Sequence, residues 1–91
     1  MATMTIKSGY LKKRAMSSAL VKNWRRRWFV LTETELIYYA DREGEKKGEL
    51  LLDMHTLIKT DVEEWKKNPG SFIVKSCGKD LHVIATNANI R

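Results

Sequence analysis

The sequence predicts a mainly β domain, a bent seven-stranded antiparallel barrel or sandwich. Three observations lead there. Short runs rich in aromatic and β-branched residues recur along the chain. Polar and glycine-containing turn chemistry separates them. And 91 residues suffice for one modest core and one domain, 1–91.

The elements follow in order. Lys7 to Lys13 reads as a first strand, with Tyr10 and Leu11 among basic residues. Arg14 to Asn23 breaks the pattern with two serines and reads as a loop. Trp24 to Leu31 is the second strand, and Thr32 to Glu35 a polar turn. Leu36 to Ala40 is the third strand. Asp41 to Gly48 is a charged loop. Glu49 to Leu52 and Thr56 to Thr60 are short strands. Asp61 to Gly70 is a polar loop closed by Asn68-Pro69-Gly70, with room for one helical turn over Asp61 to Lys67. Ser71 to Ser76 and Leu81 to Thr86 form a last hairpin, joined by the four residues Cys77 to Asp80. Trp65 is read as a packing residue under its loop.

Composition excludes several classes. Hydrophobic residues at 43% and charged residues at 31% argue against wholesale disorder. No apolar run approaches the roughly 20 residues of a membrane-spanning helix. The N-terminus lacks the apolar stretch of a signal peptide. The single cysteine, Cys77, has no internal disulfide partner, and the expected setting is the reducing cytoplasm. No metal-ligand spacing and no phosphate-binding glycine loop are present, so neither an enzyme nor a cofactor is expected. His82 lies in an alternating apolar strand and reads as structural.

Charge is unevenly placed. The net charge is +6, from 17 basic and 11 acidic residues. Met1 to Leu31 holds eight of the basic residues and none of the acidic ones, a block of +8; the remainder carries −2. A block of one sign predicts an anionic partner: nucleic acid, a phosphorylated ligand or an acidic membrane.

Strand alternation sharpens that expectation. Arg25, Arg27, Phe29 and Leu31 share one face of the second strand, and Leu11 and Lys13 share one face of the first. With Phe29 and Leu31 inward, Lys13 and Arg27 converge at the mouth of the fold beneath the Arg14 to Asn23 loop. Lysine supplies a mobile point charge and arginine a planar fork of donors, a pair that suits phosphate. A solvated basic hairpin without a defined ligand fits the same spacing.

Gly9-Tyr10-Leu11-Lys12-Lys13, then Lys22-Asn23-Trp24-Arg25-Arg26-Arg27-Trp28-Phe29-Val30-Leu31, resembles the opening hairpin of a pleckstrin homology (PH) domain. Leu36-Ile37-Tyr38-Tyr39, Lys46-Lys47-Gly48, Phe72-Ile73-Val74 and Leu81-His82-Val83-Ile84-Ala85 resemble later parts of that family. The resemblance implies a PH-like bent seven-stranded sheet capped by a C-terminal helix. It also implies a phosphoinositide headgroup site made by Lys13, Arg25, Arg27, Tyr38 and Lys47, and recruitment to the inner leaflet of the plasma membrane. Lys46 and Lys47 point to 3-phosphorylated lipids, phosphatidylinositol 3,4,5-trisphosphate or 3,4-bisphosphate.

Around that site, Arg14, Met16, Leu20, Val21 and Lys22 read as a membrane-contact loop, apolar residues flanked by cations, with Leu20 and Val21 packing back on the rim of the fold as the equal alternative. The family's capping helix is missing or only begun at Asn87, which makes the domain read as truncated. Its open end is then explained by a tail beyond Arg91, by a protein partner or second copy as cover, or by partial cover from Trp65 and the Asp61 to Lys67 turn. The alternative function is a protein-interaction domain on the same fold. Nucleic-acid binding ranks last, because Trp28 and Phe29 lie on opposite faces and share no stacking platform.

Overall fold

The computed structural model describes residues 4–15 and 23–85. Seven strands run in the order β1 Thr5–Ala15, β2 Asn23–Thr32, β3 Glu35–Tyr39, β4 Lys46–Leu51, β5 Leu57–Lys59, β6 Ser71–Ser76 and β7 Lys79–Ile84. One short helix, α1 Val62–Lys67, lies between β5 and β6. The strands form a single sheet of order β4-β3-β2-β1-β7-β6-β5 in which every pairing is antiparallel. β4 and β5 are its two edges, so the sheet is bent and not closed into a hydrogen-bonded barrel.

The bend makes a core from one face. Phe29, Leu50, Val74, Leu81 and Val83 are buried there, with Leu11, Leu36, Tyr38, Leu52 and Phe72 packed around them. All but Leu52, which follows β4, sit where period-2 alternation turns their strand inward. Val83 is fully enclosed, at 0% exposure. One corner is tied by side chains. The Ser76 hydroxyl donates to the Leu51 carbonyl at 2.7 Å and lies 2.8 Å from the Thr56 hydroxyl, joining the end of β6 to the end of β4.

Helix α1 occupies the stretch expected to make a single turn. Asp61 caps it, its carboxylate accepting from the Glu63 and Glu64 amides. Glu63 and Glu64 in the first turn and Lys66 and Lys67 in the last match the helix dipole. Trp65, expected to pack beneath its loop, is 46% exposed. A six-residue helix with no buried residue offers it no enclosing surface.

Several boundaries differ from the sequence expectation. β1 reaches Ala15 and β2 starts at Asn23, so the hairpin is longer than its apolar residues suggest. β4 begins at Lys46, inside the expected loop. β7 begins at Lys79, which reduces the last hairpin's connection to Cys77 and Gly78. Both carry positive φ, 51° and 74°, the backbone of a two-residue turn that matches strand twist.

Edge strand β5 exposes apolar side chains. Ile58 stands opposite buried Val74 and shares its face, yet is 63% exposed. Leu57 beside it on edge strand β5 is exposed as well. Asn87 lies outside the described residues.

Candidate functional site

The β1–β2 register decides which basic residues meet. Lys13 stands opposite Arg25, Leu11 opposite Arg27, and Gly9 opposite Phe29. Opposed residues of an antiparallel pair share a face. Lys13, Arg25 and Arg27 therefore continue, toward the hairpin's far end, the row that Leu11 and Phe29 begin in the core. Phe29 is opposite Tyr38 on β3, and Tyr38 is opposite Gly48 on β4, which brings Tyr38 onto the same face.

Side-chain contacts bring Lys13 beside Tyr38. The Tyr38 ring lies 5.4 Å from the Phe29 ring, and the Lys13 ammonium stands 5.0 Å from the Tyr38 centroid. The Lys13 Nζ also donates to the Arg14 carbonyl at 3.2 Å. Partial burial, and then the neighbouring Arg27 guanidinium, hold the Lys13 pKa below the usual lysine value. Among the described residues, no carboxylate pairs with Lys13, Arg25 or Arg27. Arg25 is exposed, while Arg27 is partly buried.

Lys47 is set apart by a bulge. Tyr38 pairs with Gly48 but Tyr39 with Lys46, leaving Lys47 as the extra residue on β4. Its ammonium pairs with Glu45 at 3.1 Å. Lys46, on the opposite face, pairs with Glu49, which holds the Glu49 carboxyl below its usual range. Of the membrane-contact loop, Arg14 is described, opposite Trp24; Met16, Leu20, Val21 and Lys22 lie outside the described residues.

The outer face of the hairpin carries a second arrangement that the sequence reading did not find. Tyr10 and Trp28, opposed in register, meet edge to face with centroids 4.8 Å apart. Arg26 covers Tyr10 at 4.0 Å, and Arg42 covers Trp28 at 5.5 Å. The Tyr10 hydroxyl donates to Asp41 at 2.8 Å. That bond, and then the Arg42 amide, hold the Asp41 carboxyl below its usual range. These contacts fasten the β3–β4 loop to the back of the hairpin. Alternation put Tyr10 and Trp28 on one side, but only the folded-back loop supplies Asp41 and Arg42.

His82 lies on the outer face of β7, opposite Ile73. Burial, and then Arg14, push its pKa down, while Asp80 and Glu64 oppose that shift. A cleft of about 70 Å³ lies beside it, between Arg14 and Trp24 on the hairpin and Asp61 and Glu64 at α1. Among the described residues, no group of three His, Cys, Asp or Glu side chains stands together to hold a metal.

The crowded cations carry a stability cost that can be measured. The Lys13 pKa is depressed below the unfolded value of 10.5. The stability linked to its neutral form is therefore present above that value and lost as pH falls through the folded pKa. The cost falls on the charged form. Lys13→Met keeps an aliphatic chain over Tyr38 and removes the charge. It is expected to raise stability at pH 7 by about 0.5 kcal/mol after solvent screening, or roughly 2–4 °C in Tm. Thermal melts at pH 7 and pH 10.5 check this: the gain should shrink at the higher pH.

The PH domain family model matches residues 5–89. Mouse Rho GTPase-activating protein 25 is 36% identical over 93 residues, covering 93% of this chain and 14% of its own length. Mouse Switch-associated protein 70 is 30% identical over 83 residues, covering 90% of this chain and 14% of its own length. The chain thus spans 14% of the length of these curated relatives. Among solved structures, the C-terminal PH domain of pleckstrin in complex with D-myo-Ins(1,2,3,5,6)P5 superposes with a TM-score of 0.76 at 22% identity, covering 97% of this chain and 85% of that one. The PH domain of human KIAA0053 protein gives a TM-score of 0.68 at 28% identity, covering 99% of this chain and 82% of that one. With a family model running from β1 past the end of β7, and the same bent sheet in solved relatives, the chain belongs to the PH domain family.

Proposed function

We propose that this single domain is a non-catalytic module that binds phosphoinositide headgroups on the Lys13–Arg27 face and so recruits its protein to anionic membrane. One observation carries the reading. Lys13 and Arg27 are brought onto one face beside Tyr38 with no carboxylate to pair with them among the described residues. Like charges held together without an anion favour a ligand that supplies one. A phosphate group accepts from the Arg27 fork and the Lys13 ammonium together. Arg25 and the Tyr38 hydroxyl add contacts at the rim.

The solved pleckstrin domain holds an inositol pentakisphosphate. At 22% identity that likeness shows the fold alone, so the reading rests on the charges of this chain. Lys47, re-aimed by its bulge next to Gly48, supports a preference for 3-phosphorylated lipids, phosphatidylinositol 3,4,5-trisphosphate or 3,4-bisphosphate. The +8 block steers the domain toward the acidic cytoplasmic leaflet of the plasma membrane. Arg14 begins the segment that meets the lipid surface, followed by Met16, Leu20, Val21 and Lys22.

Calorimetric titration with soluble inositol phosphates tests this. Inositol 1,3,4,5-tetrakisphosphate is expected to bind at least about tenfold more tightly than inositol 1,4,5-trisphosphate, a difference of about 1.4 kcal/mol. Equal binding removes the 3-phosphate preference. No heat with either, from a folded chain, removes the headgroup site.

Exposed Leu57 and Ile58 on edge strand β5 favour a second reading, in which a protein partner or a second copy covers the open end. Such an interface should survive loss of Lys13 and Arg27. Sedimentation of the chain across a concentration series, alone and with the Ile58→Lys variant, separates self-association from a monomer.

A further inference from the structure

We propose that Gly48 is a positioning residue of the inner-face site: its missing side chain lets Tyr38 lie across β4, where the ring holds the Lys13 ammonium beside Arg27. This inference rests on the reading of that face as an anion site.

The argument begins with why position 48 needs glycine. Gly48 is not among the residues with positive φ, so the backbone does not require it. The neighbouring side chain does. A Cβ built on Gly48 would stand 2.4 Å from the Tyr38 hydroxyl oxygen, 2.6 Å from Cζ and 3.1 Å from Cε1. All three contacts are with one ring, directly opposite in register. That ring has little freedom to yield. Buried Phe29 lies alongside it, and Lys13 stands over it. Tyrosine is rigid beyond χ2, so the hydroxyl end moves only if the whole ring swings.

The consequence reaches Lys13. Arg27 repels its ammonium, and among the described residues the ring face and the Arg14 carbonyl oppose that repulsion. A methyl group at position 48 displaces the ring and with it the surface on which Lys13 rests. The side chain is then free to swing into solvent, away from Arg27. Gly48 thus acts through Tyr38 and needs no contact with the ligand.

A double-mutant cycle tests this in the whole chain, with Gly48→Ala, Tyr38→Leu and the double variant. Leucine keeps apolar volume against Phe29 but lacks every atom that the new methyl would strike. The readouts are affinity for inositol 1,3,4,5-tetrakisphosphate and the NMR shift of the Lys13 ε-methylene, which the Tyr38 ring current marks. Gly48→Ala is expected to weaken binding about 5- to 10-fold and to remove the ring-current shift. In the Tyr38→Leu background the same change should alter affinity less than twofold.

Wild-type affinity and an unchanged Lys13 shift in Gly48→Ala overturn the inference. So does an equal loss in both backgrounds, which would mean that Gly48 acts through its strand and not through the ring. If Gly48→Ala alone fails to fold, a double variant that melts like Tyr38→Leu supports the clash, and one that also fails to fold overturns it. If the wild type does not bind the tetrakisphosphate, the anion-site reading fails. The Lys13 shift and the melting cycle then still decide whether Gly48 places the ring.

Discussion

Arg27→Ala is expected to weaken inositol 1,3,4,5-tetrakisphosphate binding roughly 30- to 150-fold, about 2–3 kcal/mol, with little change in melting temperature. The size follows from chemistry and placement together. A guanidinium on phosphate makes two charge-assisted hydrogen bonds, and alanine makes none. Arg27 is the partly buried arginine of its row, opposite Leu11 and two residues from core Phe29. Its backbone pairs with Leu11 in the hairpin ladder and its guanidinium donates to the Arg26 carbonyl at 3.4 Å, which limits the freedom the side chain loses on binding. Arg25 lies one pair further out and is exposed. Arg25→Ala should therefore cost less, closer to the 1 kcal/mol or less of a solvent-exposed ion pair.

Stability should respond in the opposite sense to affinity. Arg27→Ala removes the repulsion on Lys13, so the variant should melt at or slightly above the wild-type temperature. That combination identifies a site residue and separates it from a damaged fold. Salt adds a second check. Raising ionic strength should weaken wild-type binding without abolishing it, because contacts on a partly buried face are screened less than exposed ones. A variant that binds like the wild type would overturn the assignment of Arg27.

Much of this architecture was legible in the sequence because period-2 alternation is a local property. Trp24 to Leu31 alone placed Arg27 with Phe29 and opposite to Trp28, and the observed register agrees. Leu11 with Lys13 followed from the same rule, whereas Tyr38 entered only through the family resemblance. What the sequence concealed depends on partner strands and on loops that fold back. The Lys47 bulge exists only relative to the register of Tyr38 and Tyr39. The Cys77–Gly78 turn was hidden because cysteine is not a usual residue for positive φ. Asp41 and Arg42 looked like ordinary loop charges until the loop closed over Tyr10 and Trp28. Gly48 read as a loop residue because its requirement comes from a side chain ten positions away.

The largest expected stability effect belongs to Gly70→Ala, at about 2–4 kcal/mol, or a Tm lower by roughly 10–25 °C. Two costs combine there. Gly70 has φ of +94°, a backbone region that costs an L-residue about 1–2 kcal/mol. Its missing Cβ would also stand 2.6 Å from the Ala85 carbonyl oxygen. That atom belongs to the backbone and cannot rotate away. The Ala85 amide donates to the Gly70 carbonyl at 3.1 Å, so relief by separation breaks the bond that holds the chain after β7 against the start of β6. Gly78→Ala is the control. Gly78 shares positive φ, at +74°, but an added Cβ meets nothing within 4 Å. It should bear only the conformational cost, about 1 kcal/mol. Melting curves of the two variants separate steric from conformational strain, and equal losses would show that the Ala85 contact contributes nothing. β7 separates the start of β6 from Lys13, with Ser71 opposite Ile84 and Ile84 opposite Lys12, so Gly70→Ala should retain inositol phosphate affinity at temperatures where it remains folded.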